Sequence, residues 1–387
     1  MSARAYFDWN ATAPLRPAAR AAMVEALGQP GNASSVHAEG RAARGRLEKA
    51  RAQVAALVGA EAKNVTFTSG ATEANALALT PALEVGGRKE QRDRLFVSAV
   101  EHPSVLAGGR FAPDQVEILP VDGAGVVDLA ALKMALAKAE RPLVSVMLAN
   151  NETGVIQPIA QIAEIVHAAN GLLQVDGVQG AGRIPCDMAA LGVDLLSLSS
   201  HKLGGPQGAG ALVRRDDIHI AEPLIRGGGQ ERGTRAGTEN VAAIAGFGAA
   251  AEAARAAREV DATRMAASRD RIEAGIAAAT PQAMIFGAAV ARLPNTTLVA
   301  VPGIKAETAL IAFDLNGIAL SSGSACSSGK VQASHVLKAM GVEPDLAAGA
   351  LRISLGWDTR ESEVEMLLTA WNTVVSSLLK KQPNMAA

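Results

Sequence analysis

Apolar and polar positions alternate along this chain with two different periods. Short apolar runs recur at Val65–Thr68, Leu95–Ala99, Val116–Leu119, Leu143–Met147, Leu172–Val175, Leu195–Leu198 and Ala209–Val213, and each reads as a strand. Helical patterns lie between them. Gly40–Leu57 sets Leu47, Val54 and Leu57 on one side and Arg44, Glu48, Lys49 and Arg51 on another. Leu129–Lys138 and Ile159–Ala169 behave in the same way. Strand and helix in alternation over about 150 residues predict a mostly parallel sheet covered on both faces. Such sheets bind ligands beyond the carboxyl ends of their strands, so the chemistry is expected just after each strand.

The pattern then changes. Val241–Ala279 is rich in Ala, Arg, Glu and Ile and has no proline. It predicts a long helix, broken near Asp261 and ended by Thr280-Pro281. Beyond it come a strand at Thr296–Val301, a helix at Ala306–Asp314, a strand at Leu351–Leu355 and a closing helix at Glu361–Leu379. The expected class is α/β: a large domain over 13–255, and a smaller α+β domain formed by 1–12 with 256–387. A length of 387 residues, at about 150 residues per domain, suggests two domains or three, and the pattern favours two.

Composition narrows the function. Lys and Arg number 37 against 38 Asp and Glu, for a net charge of −1. That argues against a nucleic-acid protein or a membrane-surface binder held by bulk positive charge. Hydrophobic residues are 49% and charged residues 19%, which argues against a disordered chain. No run of 18 apolar residues occurs, so no membrane span is expected. Residues Met1–Asp8 lack an apolar run, so no signal peptide is expected. The two cysteines, Cys186 and Cys326, are too few for a disulfide framework or a four-cysteine zinc site. A reducing cytoplasm is the expected location, and no resident metal is expected.

Seven places carry candidate chemistry. Ser69-Gly70-Ala71-Thr72-Glu73 follows a strand and opens a helix; its small residues suit an anion at a helix N-terminus or serve as a plain cap. Asp176, with Gln179, sits at a strand's carboxyl end, where a carboxylate can pair with a protonated ring nitrogen or cap a helix. Lys202 lies in Ser199-Ser200-His201-Lys202-Leu203-Gly204-Gly205-Pro206 after the next strand; its amine can form a Schiff base with a carbonyl cofactor or lie exposed beside a turn. His102 follows the strand Leu95–Ala99 and can stack on a flat ring and shuttle protons, or be structural. The glycine- and arginine-rich Gly227–Asn240 reads as a loop built around an anion or an interface, or as flexible chain. Ser321-Ser322-Gly323-Ser324-Ala325-Cys326-Ser327-Ser328-Gly329 sets a thiol among small residues, the context of a reactive cysteine, whereas Cys186 in Ile184-Pro185-Cys186-Asp187-Met188 has the context of an inert one. Arg352, inside Leu351–Leu355, needs a partner: a substrate carboxylate or a structural acid.

Together these residues resemble the cysteine desulfurases of the nitrogen-fixation and iron–sulfur-cluster-assembly type, in the class V aminotransferase group of fold-type I pyridoxal phosphate enzymes. The resemblance runs from Tyr6-Phe7-Asp8-Trp9-Asn10-Ala11-Thr12-Ala13 to Arg352–Gly356. It is most specific at Ala149-Asn150-Asn151-Glu152-Thr153-Gly154, Ser199–Lys202, Gly227–Asn240 and Ser321–Gly329, the last followed by Ser334-His335-Val336-Leu337. Trp9 stands where many members carry Tyr or Asn.

The resemblance implies the roles. Lys202 would hold pyridoxal 5'-phosphate as a Schiff base. Ala71, Thr72, Ser199 and His201 would hold the phosphate, Asp176 the pyridine nitrogen and Gln179 the phenolic oxygen. His102 would stack on the ring and move protons, and Asn151 would lie near ring and substrate. Thr238 would reach the phosphate of a neighbouring subunit, which implies a homodimer. Arg352 would bind the L-cysteine carboxylate. Cys326 would take the sulfur as a persulfide and pass it to an acceptor or iron–sulfur scaffold protein, with which it could transiently share a cluster. Iron–sulfur assembly and thiolation are the expected destinations. The alternatives are a selenocysteine lyase or another class V aminotransferase-type enzyme, and a non-catalytic sulfur carrier.

Overall fold

The computed structural model describes residues 4–323 and 334–380. Seven strands form the central sheet in the spatial order Val65–Thr68, Gly210–Arg214, Leu195–Ser199, Leu172–Asp176, Leu143–Met147, Leu95–Ser98 and Val116–Leu119. All pairs are parallel except those made by Gly210–Arg214, which runs against both neighbours. The apolar runs read from the sequence therefore lie within a residue or so of the observed strands. Their continuous hydrophobicity has a plain cause: both faces of the sheet are buried. Leu47, Val54, Phe96, Val146, Leu198 and Phe247 belong to the core on one face. Leu77, Leu95, Val97, Leu143 and Leu212 belong to the core on the other.

A four-stranded antiparallel sheet stands apart, in the order Met284–Ile285, Thr296–Ala300, Leu351–Ser354 and Ser321–Ser322. Its core holds Phe7, Phe313, Ile353, Leu367 and Trp371. Ala5–Tyr6 pairs in parallel with Ile318–Ala319, so the first described residues join the last third of the chain. The helix Val241–Ala279 links the two cores. Ala243–Ala254 packs into the first, and Met265, Ile272 and Ile276 pack into the second.

The structure corrects one expectation here. The long helix does not break at Asp261; it runs unbroken for 39 residues. Asp261 accepts from Arg264 at 3.3 Å, one turn on, and faces Arg16 at 3.7 Å. Its charge is thus held on the helix surface and does not compete for the backbone. Among the described residues, no helix is long and apolar enough to cross a membrane.

Candidate active site

The carboxyl ends of Leu172–Asp176 and Leu195–Ser199 lie side by side, with Asp176 opposite Ser197. This pairing brings Asp176 and Lys202 to one cavity of about 510 Å3. Asp176 is buried. Its Oδ1 accepts from the Val178 N–H at 3.0 Å and its Oδ2 from the Asn75 amide at 2.9 Å. Both bonds use the carboxylate as an acceptor and fix its direction.

Lys202 ends a single 3-10 turn, Ser200–Lys202. Its Nζ donates to the carbonyls of Asn10 and Ala11 at 2.5 and 2.7 Å. Among the described residues no carboxylate pairs with it directly. Burial, with Arg352 and Arg183 adding repulsion, lowers the amine's pKa to about 7. Near neutral pH a large share is therefore the uncharged, nucleophilic amine.

At another wall of the cavity the helix Ala71–Ala78 begins. Among the described residues no side chain caps its first-turn N–H groups. Gly70, Ala71 and Thr72 line the cavity there, as do Ser199 and His201. A Cβ at Gly210 would stand 2.5 Å from the Gly70 backbone, so that glycine lets strand and helix start approach. Uncapped donors and the positive end of a helix suit an anion. His201 lies with Nδ1 3.1 Å from Thr12 Oγ1, and burial with the nearby Lys202 pushes its pKa down to about 4. It is a neutral hydrogen-bonding group here.

His102 caps the short helix Pro103–Leu106, its Nδ1 accepting from the Ser104 N–H at 3.1 Å. A neutral ring so held carries its proton on Nε2. Burial lowers its pKa from the ordinary value; Asp176 opposes this, and Lys202 and His335 reinforce it. Preceding it, Glu101 is fully buried. Its Oε1 accepts from the Met147 N–H at 2.7 Å, and its Oε2 has no partner among the described residues. Burial pushes this carboxyl well above the usual range, and Asp176 pushes the same way.

Arg352 sits 4% exposed in the middle of its strand. Its Nη2 donates to Asp8 Oδ1 at 2.7 Å and its Nη1 to the Asn151 carbonyl at 3.0 Å. Its Nε is buried without a partner among the described residues. The structural acid weighed in the sequence is therefore real, and it is Asp8. It occupies one donor of a guanidinium that has five. Gln179 donates from Nε2 to the Asn10 carbonyl at 3.0 Å, and its Oε1 accepts from Arg183.

Of the residues singled out in the sequence, Ala71, Thr72, His102, Asn151, Asp176, Gln179, Ser199, His201, Lys202 and Arg352 line one cavity. Thr238 does not; it is exposed. Its loop is anchored beneath the anion-suited end by Arg235, which donates to Glu73 Oε1 at 2.9 Å, while Glu73 Oε2 accepts from the Ser69 N–H at 2.8 Å. Cys326 lies outside the described residues. The described residues stop at Gly323 and resume at Ser334, and Gly323 and His335 both line the cavity. Cys186 is buried, and its thiol is pushed up to about 12 by burial and Asp187, which makes it inert.

Four residues that the sequence reading left without a role support the site. Asn10 is the hub: its amide donates to Thr296 Oγ1 at 2.9 Å and to the Asn151 carbonyl at 3.2 Å, and its carbonyl receives Lys202 and Gln179. Asn75 orients Asp176, and Asp8 and Arg183 complete the set. Asn75 carried a signal, since it is a polar residue on the same buried helix face as Ala74, Leu77 and Ala78.

The family model for aminotransferase class-V matches residues 5–367. A cysteine desulfurase of Gluconacetobacter diazotrophicus is 42% identical over 98% of this chain and 95% of its own length. The cysteine desulfurase NifS of Azotobacter vinelandii is 39% identical over 98% of this chain and 94% of its own. The X-ray structure of a NifS-like protein from Rickettsia africae superposes with a TM-score of 0.88 at 36% identity, covering 96% of this chain and 99% of that one.

Proposed function

This chain belongs to the aminotransferase class-V family and, within it, to the cysteine desulfurases; from that premise we propose that it takes sulfur from L-cysteine and carries it on Cys326 to an acceptor protein for iron–sulfur assembly or thiolation. The net step balances without an added oxidant. The C–S bond of the substrate breaks, an S–S bond forms on the Cys326 sulfur, and the hydrogen that Cys326 gives up ends on the methyl group of alanine.

The family depends on pyridoxal phosphate, and the cavity fits that group. Its uncapped helix start suits a phosphate, and its buried, oriented Asp176 suits a protonated pyridine nitrogen. Ala71, Thr72, Ser199 and His201 would hold the phosphate, with Thr238 of a neighbouring subunit in a homodimer; Asp176, Gln179, His102 and Asn151 would hold the ring. Bound there, the cofactor supplies an aldehyde for the Lys202 amine and an electron-withdrawing ring.

The chain's own residues do the rest. Lys202 offers an uncharged amine near pH 7, because burial, Arg352 and Arg183 disfavour its charge. His102, with Nδ1 occupied by the Ser104 N–H, offers its proton from Nε2. Arg352 would turn its unused N–H groups to the substrate carboxylate. Cys326 stands three residues after Gly323, a chain reach of at most about 11 Å from a residue that lines the cavity.

The observation that carries the reading is the meeting of Lys202, Asp176 and Arg352 in one cavity, from three separate strand ends or strands. The test is anaerobic incubation with L-cysteine and a thiol reductant, following alanine and sulfide together. Equal amounts of both, lost in C326S, are expected. Alanine at the normal rate from C326S would overturn the role of Cys326. Neither product from a yellow, cofactor-loaded protein would overturn cysteine as the substrate.

A further inference from the structure

His102 and Asp176 would face one ring from two directions, and a single buried amide joins them. Asn75, on the helix Ala71–Ala78, has no exposed surface. Its Nδ2 donates to Asp176 Oδ2 at 2.9 Å and to Ser104 Oγ at 3.0 Å. Ser104 Oγ in turn lies 2.8 Å from His102 Nδ1. One continuous hydrogen-bonded path therefore runs from the end of the strand Leu172–Asp176, across the helix Ala71–Ala78, to the residue that caps the helix Pro103–Leu106.

The proton positions along this path follow from its acid end. Both oxygens of Asp176 accept, Oδ1 from the Val178 N–H and Oδ2 from Asn75. An ionised carboxylate can only accept, so the Asn75 atom that faces it is the nitrogen. The other side of that amide is occupied in the matching sense. Asn75 Oδ1 accepts from Gln174 Nε2 at 3.2 Å, and the same Gln174 nitrogen donates to Ser197 Oγ at 3.2 Å. One Asn75 hydrogen thus goes to Asp176 and the other to Ser104 Oγ. With that lone pair taken, the Ser104 hydroxyl has its own hydrogen left for His102 Nδ1. The Ser104 backbone N–H points at the same nitrogen from 3.1 Å. A neutral imidazole can carry its proton on either nitrogen. Here Nδ1 is the accepting one, and the proton sits on Nε2.

We propose that Ser104 is a positioning residue for His102, and that through Asn75 and Ser104 the carboxylate of Asp176 dictates the tautomer of His102, holding its proton on Nε2 and its ring in one orientation against the cavity. The use made of that proton rests on the function proposed above; the path itself does not. Asp176, Lys202 and His335 also face the ring and act on its charge, whereas Asn75 and Ser104 act on which nitrogen holds the proton.

The test uses cofactor-loaded protein carrying isotope-labelled histidine, without substrate, so no turnover is needed. Nitrogen NMR separates an unprotonated, pyridine-like ring nitrogen from a protonated, pyrrole-like one, and H102Q identifies the His102 signals among the six histidines. The parent is expected to show His102 with Nδ1 unprotonated and Nε2 protonated. In S104A that tautomer's share should fall, and the His102 titration midpoint should rise by about 0.5–1 pH unit, because the lost donor favoured the uncharged ring. S104T keeps the hydroxyl and should match the parent. N75A breaks the path one step earlier and should move both readouts in the same direction as S104A. In S104A, kcat for alanine formation should fall about 10-fold with KM within about 2-fold, and S104T should restore it. A parent with the proton on Nδ1 would overturn the proposal. So would S104A with unchanged tautomer and unchanged midpoint; a kinetic loss in that case would make Ser104 a direct contact to substrate or cofactor. If N75A fails to fold, S104A and S104T carry the test. A parent that forms no alanine yet shows the expected tautomer would sink the desulfurase reading and leave the path standing.

Discussion

At the scale of single residues, the site works by withholding water from charges. Lys202 is the clearest case, with its amine lowered to about 7 by burial and by Arg352. The rate at which cofactor-free protein takes up pyridoxal phosphate should rise with pH through about 7 and then level, since only the neutral amine reacts. R352Q removes a positive neighbour and should move that midpoint upward; absorbance kinetics across pH measure both, and a midpoint unmoved by R352Q would refute the assigned cause. K202A should take up no yellow cofactor stably. Glu101 shows the opposite sign. Its folded-state pKa is raised well above 4.5, so the folded protein holds a proton there that the unfolded chain releases. The stability tied to that proton is intact below about 4.5 and is lost as pH rises toward the folded-state pKa. E101Q, a neutral isostere that still accepts from Met147, should therefore gain on the parent as pH rises from about 5 to 8, read by denaturant midpoints. E101A should lose about 1–3 kcal/mol by orphaning that N–H.

At the scale of elements, the glycine-rich loop is tied down by a buried acid of its own, besides the Arg235–Glu73 pair. Glu231 receives both terminal nitrogens of Arg51, at 2.6 and 2.8 Å, and the Phe67 N–H at 2.8 Å. It thereby seals the outer edge of the end strand Val65–Thr68. Glu231 and Arg232 both hold left-handed backbone, at φ 47° and 57°, which costs energy that these bonds offset. E231A should cost about 2–3 kcal/mol in a denaturant titration, because it leaves the buried Arg51 with only Glu48 and the Val65 carbonyl and orphans the Phe67 N–H. The apolar pair R51M/E231L should lie closer to the parent than either single change. The loop's glycines and arginines were visible in the sequence, but this anchor was not, since it joins positions 180 residues apart. The main strands and helices were legible because each carries its own period. The hairpin Ala82–Val85 with Arg88–Gln91 was missed because its second strand, Arg-Lys-Glu-Gln, has no apolar residue to alternate. Its Gly86-Gly87 turn, both at positive φ, was the overlooked signal. Lys202 and Asp176 were legible because each follows a strand. Asp8 and Asn10 were not, because their roles arise only when Ala5–Tyr6 pairs with Ile318–Ala319.

At the scale of the molecule, the cavity is built from two cores that one helix holds in register. Asp176, His102 and Lys202 come from the central sheet; Arg352 and Gly323 come from the small one. Between the cores, Val241–Ala279 runs without interruption. Its middle is pinned to the chain around Trp357: Arg264 donates to the Trp357 and Thr359 carbonyls, each at 2.7 Å. Arg16 lies over the Trp357 ring at 5.1 Å and donates to the Leu203 carbonyl at 2.9 Å, beside Lys202. The helix therefore sets the spacing between the amine and the guanidinium that would grip the substrate. Ala256 is exposed at the helix middle, so a change there touches no core contact and acts through the backbone alone. A256G should cost about 1 kcal/mol and leave the kinetics close to normal. A256P should cost about 3 kcal/mol or more and kink the helix. Retention of pyridoxal phosphate would rest on residues of the central-sheet side and should survive the kink, whereas L-cysteine binding spans both cores and should weaken severalfold. A rise in the cysteine dissociation constant at unchanged cofactor retention would identify the helix as the ruler of the site. Equal loss of both would mean that the proline had unfolded the central sheet as well.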